Sequence, residues 1–331
     1  MSPPQSVFLL GAGYIGQPVV DNLLAAGHTV TTLVRNEERA AALEKAGVKT
    51  VLGKLEDLDT ITAQTAQHEL TINTSSSDDV PSVEAILTGV RQRVAKGLPV
   101  TFIQTSGAGL FIDEAKGHYK SDKIYKDDDP VSIDALPPTA LHRNVDLLIV
   151  EAARELGDKA KIVIMIPPLV FGVISEHKRL SMALPALIRF SLKHGFAGRV
   201  GKGLNVWNAV HVADLARAFK VLVDYLVTAD RKALENPYFF AENGEEFTWA
   251  KAADNVGRIL HKVGKISSPE PRAMQESELG DMFGPATELV AGGNARTVAV
   301  RLPALGWVPK EKGIWAAVED EEIPQVIASL G

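Results

Sequence analysis

Three glycines near the N-terminus place the tightest constraint on what this chain can fold into. They stand in the segment Phe8-Leu9-Leu10-Gly11-Ala12-Gly13-Tyr14-Ile15-Gly16. The apolar run 6–10 predicts a buried strand, and the core-spaced apolar residues of 15–26 predict a helix. In this context the first glycine makes the turn, the second lets backbone approach a pyrophosphate, and the third permits close helix–sheet packing. The segment therefore predicts a dinucleotide-binding turn, against the alternative of a merely tight strand–helix turn.

Strand and helix patterns alternate from this turn to about residue 172. Further strands are predicted at 29–34, 50–52, 70–73, 100–105 and 162–166, and helices at 37–46, 58–67, 83–95 and 141–156. This rhythm predicts an α/β fold, a Rossmann-type doubly wound parallel sheet that binds ligands at the carboxyl ends of its strands. We expect residues 1–172 to form this domain, with sheet elements returning around 206–241. Residues 173–331 are expected to form mainly a smaller C-terminal substrate lobe.

Composition excludes several classes of protein. The net charge of −6 argues against a nucleic-acid-binding surface, which needs a basic stripe. The chain has no cysteine, so disulfides and thiolate sites are excluded. No apolar run reaches the roughly 18 residues of a membrane span, and the N-terminus lacks the pattern of a secretory signal. We expect a cytoplasmic protein that binds neither nucleic acid nor membrane.

Arg35, after the second predicted strand, bears on the choice of nucleotide. An NAD-selective site usually places an acidic side chain here, where it accepts hydrogen bonds from the ribose hydroxyls. A guanidinium instead fits a 2′-phosphate through forked, charge-assisted hydrogen bonds. The sequence therefore favours NADP(H) as cofactor, and the alternative is a solvated arginine at the start of a helix.

Six segments follow one another in a specific order. They read Gly11-Ala-Gly-Tyr-Ile-Gly16, Gly53-Lys-Leu-Glu-Asp57, Thr105-Ser-Gly107, Pro167-Pro-Leu-Val-Phe-Gly172, Trp207-Asn-Ala-Val-His-Val-Ala-Asp-Leu-Ala216 and Leu305-Gly-Trp-Val-Pro309. In order and spacing they resemble the extended or atypical branch of the short-chain dehydrogenase/reductase family, the NAD-dependent epimerase/dehydratase type. The resemblance covers nearly the whole chain and is nearest to a fungal group. It also implies that two long helices could pair to form a homodimer.

The resemblance implies a set of residues that contact the cofactor. They are Gly11, Gly13, Tyr14, Ile15, Gly16, Arg35, Asn36, Lys54, Leu55, Thr74, Ser75, Thr105, His142, Pro167 and Leu169. Lys54 replaces the first aspartate of the family's adenine-contact segment. It either joins Arg35 at a 2′-phosphate or is simply exposed.

The catalytic positions depart from the family pattern. The family carries Tyr-X-X-X-Lys on its active-site helix, and here the tyrosine position falls on Pro138 and the lysine position on His142. The serine position falls on Gly107, which leaves Ser106 and Thr105 as its neighbours. Ser106 is predicted to act with His142 as the proton source or oxyanion stabiliser. A histidine can act as general acid or base near neutral pH, so His142 is the predicted proton donor. The alternative is that His142 only binds the cofactor ribose or caps the helix.

Other side chains could complete a catalytic site. Arg143 is predicted either to stabilise a developing oxyanion or to hold a phosphate or ribose of the cofactor. Either Tyr119 or Tyr125 could reach in from the loop 107–138, and Tyr119 is taken as the candidate. Most loop tyrosines, however, are surface residues.

The remaining charged residues give weaker signals. The run Asp127-Asp128-Asp129 is predicted to be a solvated loop rather than a metal site, because adjacent carboxylates rarely converge without a dedicated turn. His194, Arg199 and Lys202 could bind an anionic substrate group, with a solvated loop as the stronger alternative.

Trp207 lies where nucleotide-sugar enzymes of the family typically have a diphosphate-gripping arginine nearby. The missing arginine points to a smaller or more apolar substrate. For Trp207 itself, a place in the core is the stronger alternative.

Three functions remain open at this point. The leading prediction is an NADP-dependent oxidoreductase that reduces a carbonyl or an activated double bond of a small, partly apolar metabolite. The second is a cofactor-assisted isomerase or epimerase. The third is a non-enzymatic, NmrA-like NADP sensor, which the lost tyrosine and lysine support.

Overall fold

The computed structural model describes residues 3–330. Its strands are β1 (Ser6–Leu10), β2 (Thr29–Val34), β3 (Lys49–Leu52), β4 (Leu70–Asn73), β5 (Thr101–Thr105), β6 (Tyr125–Lys126), β7 (Lys161–Ile166), β8 (Leu169–Phe171), β9 (Gly198–Arg199), β10 (Val206–His211), β11 (Tyr238–Phe240), β12 (Glu246–Thr248), β13 (Arg272–Ala273) and β14 (Thr297–Val298).

The α-helices are α1 (Gly16–Ala25), α2 (Glu37–Lys45), α3 (Leu58–Gln67), α4 (Val80–Ala95), α5 (Pro130–Asp134), α6 (Arg143–Leu156), α7 (Ala183–His194), α8 (Val212–Thr228), α9 (Arg231–Leu234), α10 (Trp249–Lys262), α11 (Glu276–Phe283), α12 (Thr287–Val290), α13 (Arg301–Ala304), α14 (Ile314–Ala317) and α15 (Ile323–Ala328). The strands and helices predicted in the first 172 residues are all present, and their ends shift by at most three residues.

The central sheet confirms the predicted Rossmann-type fold. Its seven strands are all parallel and run in the order β11-β7-β5-β4-β1-β2-β3. The chain first builds β1 to β3 outward and then returns to place β4 on the other side of β1. That reversal makes the carboxyl end of β1 the topological switch point, where such sheets bind ligands.

Helices cover both faces of the sheet because its strands are apolar on both sides. Alternate residues of β1 face opposite ways: Phe8 and Leu10 pack in one core with residues of α3, α4 and α6, and Val7 and Leu9 pack in the other with α1 and α8. A strand buried on both faces reads as a continuous apolar run rather than an alternating one.

Fewer strands of the segment 206–241 rejoin the central sheet than the sequence predicts. Only β11 joins that sheet, beside β7. β10 instead pairs with β8 in parallel and with β12 antiparallel, forming a small separate sheet of the C-terminal lobe. The residue pattern of a strand does not reveal which sheet the strand joins, so the sequence analysis did not predict this separate sheet.

Two of the segments that carry the family resemblance, 207–216 and 305–309, contact each other in the structure. The buried Asp214 carboxylate accepts hydrogen bonds from the backbone N–H groups of Lys310 (2.7 Å) and Glu311 (3.1 Å). The Trp307 indole donates to the Asp214 carbonyl oxygen at 3.0 Å. The C-terminal segment is therefore fastened to the start of α8.

The prediction of a solvated loop for the aspartate triplet is wrong at its first residue. Asp127 is fully buried, and its carboxylate accepts from the backbone N–H groups of Phe240 (2.9 Å), Val300 (2.7 Å) and Arg301 (3.2 Å). Asp128 is exposed, and Asp129 caps α5. The carboxylate of Asp127 thus joins the loop to the edge strand β11 and to the segment before α13.

Between residues 3 and 330, no helix is both long and apolar enough to cross a membrane. In the same range, no three histidine, aspartate or glutamate side chains converge as a metal site requires.

Candidate functional site

The glycine turn lies at the switch point, and its geometry requires glycine. Gly11 has φ +99°, and a Cβ there would stand 2.5 Å from the backbone of Ser75. A Cβ on Gly16 would stand 2.1 Å from the Gly11 carbonyl oxygen. A Cβ on Gly13 would meet only that carbonyl, at 3.8 Å, so Gly13 faces open space. The turn is closed behind by close packing and open in front, as an approaching pyrophosphate needs.

In front of the turn lies a cleft of about 340 Å³. Its lining is Leu10, Gly11, Ala12, Gly13, Leu33, Val34, Arg35, Arg39, Gly53, Lys54, Leu55, Thr74, Ser75 and Arg179. The structure thus brings together seven of the predicted cofactor residues, from four different strand ends. Arg39 and Arg179 are additions that the sequence analysis missed.

Positive charge is concentrated in this nucleotide cleft. Within residues 3–330, the side chains of Arg35, Lys54 and Arg179 have no ion-pair or hydrogen-bond partner. Burial lowers the pKa of the Arg39 guanidinium, and repulsion from Arg179 lowers it further. Arg39 is held in place because it donates to the Ala12 carbonyl oxygen at 3.1 Å. Unpaired like charges around an open cleft form a site for an anion.

Other predicted cofactor residues shape the cleft from behind. Thr74 donates to the Gly11 carbonyl oxygen at 2.8 Å, and the Tyr14 hydroxyl donates to the carbonyl oxygen of Gly172 at 2.7 Å. Asn36 does not line the cleft. Its side chain accepts from the backbone N–H of Arg39 at 2.9 Å and caps α2. It therefore positions Arg39 rather than the nucleotide.

The remaining predicted cofactor residues lie around the strand ends and loops near β5, β8 and α1. Ile15 precedes α1 and packs against the core on the α1 side. Thr105 and Leu169 are buried, and the Thr105 hydroxyl has no partner among the described residues. The Pro167 carbonyl accepts from the backbone N–H of Ala108 at 2.9 Å. These contacts tie the loop after β7 to the loop after β5.

His142 is held in an uncommon backbone conformation. The sequence predicts a helix from 141, but α6 begins at Arg143 because His142 has φ 68°, in the left-handed region. Its Nδ1 lies 2.8 Å from Oδ1 of Asp78, in the loop after β4. The ring is mostly buried while Asp78 is half exposed. Strained backbone of this kind persists where surrounding contacts fix it, often at functional sites.

The histidine ring lies against the two glycines that follow β5. A Cβ on Gly107 would stand 3.3 Å from Nε2 of His142, and one on Gly109 would stand 2.9 Å from it. The family's serine position, taken by Gly107, therefore leaves room for the imidazole. With Nδ1 turned to the Asp78 carboxylate, Nε2 is the nitrogen available for proton transfer on this side.

Ser106 and Arg143 have different surroundings from those expected. The Ser106 hydroxyl donates to Oδ2 of buried Asp146 at 2.9 Å. The guanidinium of Arg143 is fully buried and donates to the Tyr238 hydroxyl (3.1 Å) and the carbonyl of Asp134 (3.3 Å). These contacts correct the expected role of Arg143, because a buried arginine bound to the edge strand stabilises the packing of α6.

Tyr119 is half exposed, and its hydroxyl interacts with Asp113, whose charge raises the pKa of the phenol. A second cleft of about 440 Å³ opens beside Asp113 and reaches Leu141, next to His142. Its lining is Gly109, Leu110, Phe111, Ile112, Asp113, Glu114, Ser121, Lys123, Tyr125, Leu136, Pro137, Thr139, Ala140, Leu141, Leu289, Asn294 and Arg296. Tyr125, rather than Tyr119, is thus the loop tyrosine on the cleft wall, where it stacks on Phe111.

The residues with weaker sequence signals make structural contacts. His194 stacks on Phe190 and pairs with Asp281 at 2.9 Å, and Arg199 donates to the Gly201 carbonyl. Trp207 is buried, with its indole bonded to the Gly293 carbonyl at 2.8 Å, so it belongs to the core. A cleft of about 470 Å³ also lies around Lys161, at the start of β7. Ligands of such sheets bind at the opposite ends of the strands.

The buried Asp146 predicts a pH-dependent stability. Burial raises the pKa of its carboxyl to about 7, above its value in an unfolded chain, against the opposing effect of the Ser106 hydrogen bond. The folded state therefore holds the proton more tightly, and stability falls as pH rises from about 4 to 7, by up to about 1.4 kcal/mol per pH unit. We expect Asp146→Asn to flatten the fall in urea-unfolding free energy between pH 5 and 8. Exposed Asp128→Asn is the control, and equal slopes in all three proteins would contradict the assignment.

Comparisons with known proteins agree with this geometry. Residues 11–129 match a family model described as NAD(P)H-binding. A UDP-glucose 4-epimerase from Thermotoga maritima superposes with a TM-score of 0.67 at 16% identity, covering 98% of this chain and 100% of that one. A yeast methylglyoxal/isovaleraldehyde reductase complexed with NADPH superposes with a TM-score of 0.64 at 18% identity, covering 98% of each chain. The chain shares the fold of these two proteins. The resemblance predicted from its motifs is confirmed at the level of the fold and of an NAD(P)H-binding region.

Curated relatives are fungal, as the resemblance suggested. The oxidase ucsJ of an Acremonium species is 27% identical, covering 92% of this chain and 93% of its own. An uncharacterized protein of Schizosaccharomyces pombe is 28% identical, covering 92% and 94%. The glycine turn, the cleft and the matched family model together identify residues 11–129 as an NAD(P)H-binding region.

Proposed function

We propose that the protein is an NADP(H)-dependent oxidoreductase that reduces a carbonyl or an activated double bond of a small, partly apolar metabolite. The observation that carries the proposal is the unpaired positive charge around the nucleotide cleft. Arg35 follows β2, where an NAD-selective site has an acid, and Lys54 lies on the same cleft wall. Guanidinium and ammonium groups there would hold a 2′-phosphate, which NADP carries and NAD lacks.

A bound nicotinamide would supply the hydride, so the chain must position the substrate and provide a proton. When both ring nitrogens of His142 carry a proton, Nε2 is suited to give its proton to the substrate oxygen or carbon, which leaves the neutral ring with its proton on Nδ1. Asp78 orients the ring through Nδ1, at 2.8 Å, and stabilises the charge that the ring carries when protonated. In this role His142 and Asp78 replace the tyrosine and lysine that the family has at positions equivalent to 138 and 142.

The second cleft is the candidate substrate site because it reaches Leu141, beside His142. Its walls are mainly apolar, with Phe111 stacked on Tyr125 at a ring distance of 4.3 Å. The lining also carries charged side chains, those of Asp113, Glu114, Lys123 and Arg296. Apolar walls with polar groups among them favour a small, partly apolar substrate that also has a polar end. Isovaleraldehyde and methylglyoxal, named for the yeast reductase of similar fold, are suitable first probes.

Cofactor preference gives the direct test. Purified, nucleotide-free protein is titrated with NADPH and NADH, with nucleotide fluorescence as the readout. We expect NADPH to bind at least tenfold more tightly, about 1.4 kcal/mol, and Arg35→Ala to remove most of that preference. Arg258→Ala, an exposed arginine on α10, is the matched control. Equal or tighter binding of NADH by the wild type would refute the assignment to NADP.

The reaction class is tested separately with the same protein. Loss of NADPH absorbance with either aldehyde supports the reductase. Tight NADPH binding with no turnover of a broad carbonyl panel would favour an NmrA-like sensor. The absence of the Tyr-X-X-X-Lys pattern at positions 138–142 also supports that alternative. Turnover without net NADPH consumption would favour an isomerase.

A further inference from the structure

One arginine of the nucleotide cleft comes from outside the Rossmann-type sheet. Arg179 lies in the segment 172–182, here called the strap, which connects β8 to α7. It lines the cleft with Arg39 and the glycine turn, and its charge is close enough to lower the pKa of Arg39. Among the described residues it has neither an ion-pair nor a hydrogen-bond partner. A cation brought toward another cation without a counterion indicates that an anion completes the arrangement.

Both ends of the strap are bound to the same oxygen. Oε1 of Glu322 accepts from the backbone N–H of Gly172 at 3.1 Å and from the Ser181 hydroxyl at 2.7 Å. Glu322 is fully buried, and its other oxygen has no partner among the described residues. It ends a π-helical turn, Val318–Glu322, a distortion frequent at functional sites. A single carboxylate therefore closes the strap into a loop.

Further contacts fix where the strap lies. The backbone N–H of Val173 donates to Glu321 at 2.9 Å, and His177 pairs with Asp21 of α1 at 2.6 Å. Gly172 has φ 90°, and a Cβ there would stand 2.1 Å from Nε2 of His211, so only glycine fits this position. A further anchor is the Lys178 carbonyl oxygen, which accepts from the Gln325 side chain at 3.1 Å. None of these anchors uses the Arg179 side chain, which is left to meet a ligand.

We propose that the strap clasps the nucleotide, with Arg179 as a phosphate ligand from the C-terminal lobe and Glu322 as the anchor that holds the strap closed. This rests on the proposed function only in taking the cleft as the nucleotide site. The phosphate that Arg179 meets is either the pyrophosphate or the 2′-phosphate, and a comparison of NADPH with NADH separates the two.

The test measures dissociation of the nucleotide, independent of turnover. In stopped-flow displacement experiments we expect Arg179→Ala to raise the NADPH dissociation rate at least tenfold. A similar rise for NADH identifies the pyrophosphate, and a rise for NADPH alone identifies the 2′-phosphate. Arg189→Ala, an exposed arginine on α7, is the control and should leave both rates unchanged.

The anchor is tested with two variants, because replacing the buried Glu322 could impair folding. Ser181→Ala removes one of the two bonds and should raise the dissociation rate by about threefold, and Glu322→Ala by more. Trypsin gives a second readout: NADPH should protect the wild-type chain from cleavage after Lys178 and Arg179.

The outcomes distinguish the strap from the proposed function. If Arg179→Ala releases NADPH at the wild-type rate while Arg35→Ala weakens binding, the clasp is wrong and the nucleotide site stands. If the wild type binds neither nucleotide, both fail.

Discussion

Replacing His142 with asparagine should lower kcat for aldehyde reduction by roughly 10² to 10⁴-fold, the usual contribution of a positioned general acid. Asparagine is the suitable replacement because, like histidine, it tolerates the left-handed backbone that position 142 requires. The change removes the only imidazole next to Gly107 and Gly109 in the described chain, and with it the proposed proton donor. NADPH affinity should change little, because His142 does not line the nucleotide cleft.

The measurement is NADPH oxidation with isovaleraldehyde at saturating concentrations of both, with His261→Asn on α10 as control. A His142→Asn enzyme that keeps kcat within threefold of wild type would remove His142 from the chemistry. NADPH binding measured on the same sample shows whether the variant is folded, so loss of structure is not mistaken for loss of catalysis.

Asp78→Asn tests the orienting role of the carboxylate in the same pair. We expect a smaller loss in kcat, about tenfold, because Nε2 remains but its ring is no longer held in one tautomer. Nitrogen-15 NMR of labelled histidine should report the Nδ1–H tautomer for His142 in the wild type and a mixture in the variant. An unchanged tautomer would mean that Asp78 does not orient the ring.

Much of the nucleotide site could be predicted from the sequence because its signals are local. The glycine turn is one continuous segment whose spacing encodes the backbone geometry, and Arg35 follows a strand with a clear β-branched pattern. Parallel strands place their carboxyl ends on one edge. Residues that follow such strands, such as Lys54 and Thr74, could therefore be assigned to one site without knowing any contact.

The residues that the sequence analysis missed are far in sequence from the residues that they contact or join at the site. Asp78 and His142 are 64 positions apart, and Arg179 enters from the other lobe. A signal for Asp78 existed, since Ser75-Ser76-Ser77-Asp78-Asp79 follows β4 at the ligand edge of the sheet. No comparable signal exists for Arg179, because strap position depends on a buried carboxylate near the C-terminus.

The prediction of solvent exposure is wrong for Asp127. It rests on the observation that a run of three aspartates is usually solvated. Pattern cannot distinguish Asp127 from Asp128, although one is buried and the other exposed. Only the fold brings backbone N–H groups of β11 and of the segment before α13 to one carboxylate.

Asp127→Ala should lower the free energy of unfolding by about 3 to 5 kcal/mol. Losses of this size are expected when several buried polar groups are left without hydrogen-bond partners. The variant leaves three backbone N–H groups, those of Phe240, Val300 and Arg301, without the acceptor that joins them. Asp127→Asn should cost less, since one acceptor oxygen remains, whereas exposed Asp128→Ala should stay within about 0.5 kcal/mol of wild type. Urea unfolding followed by tryptophan fluorescence measures all three. Equal stability of Asp127→Ala and Asp128→Ala would mean that water or a shifted loop replaces the carboxylate. In the expected result, the edge strand that flanks β7 depends on this single side chain, and the loop that carries Tyr125 to the second cleft depends on it as well.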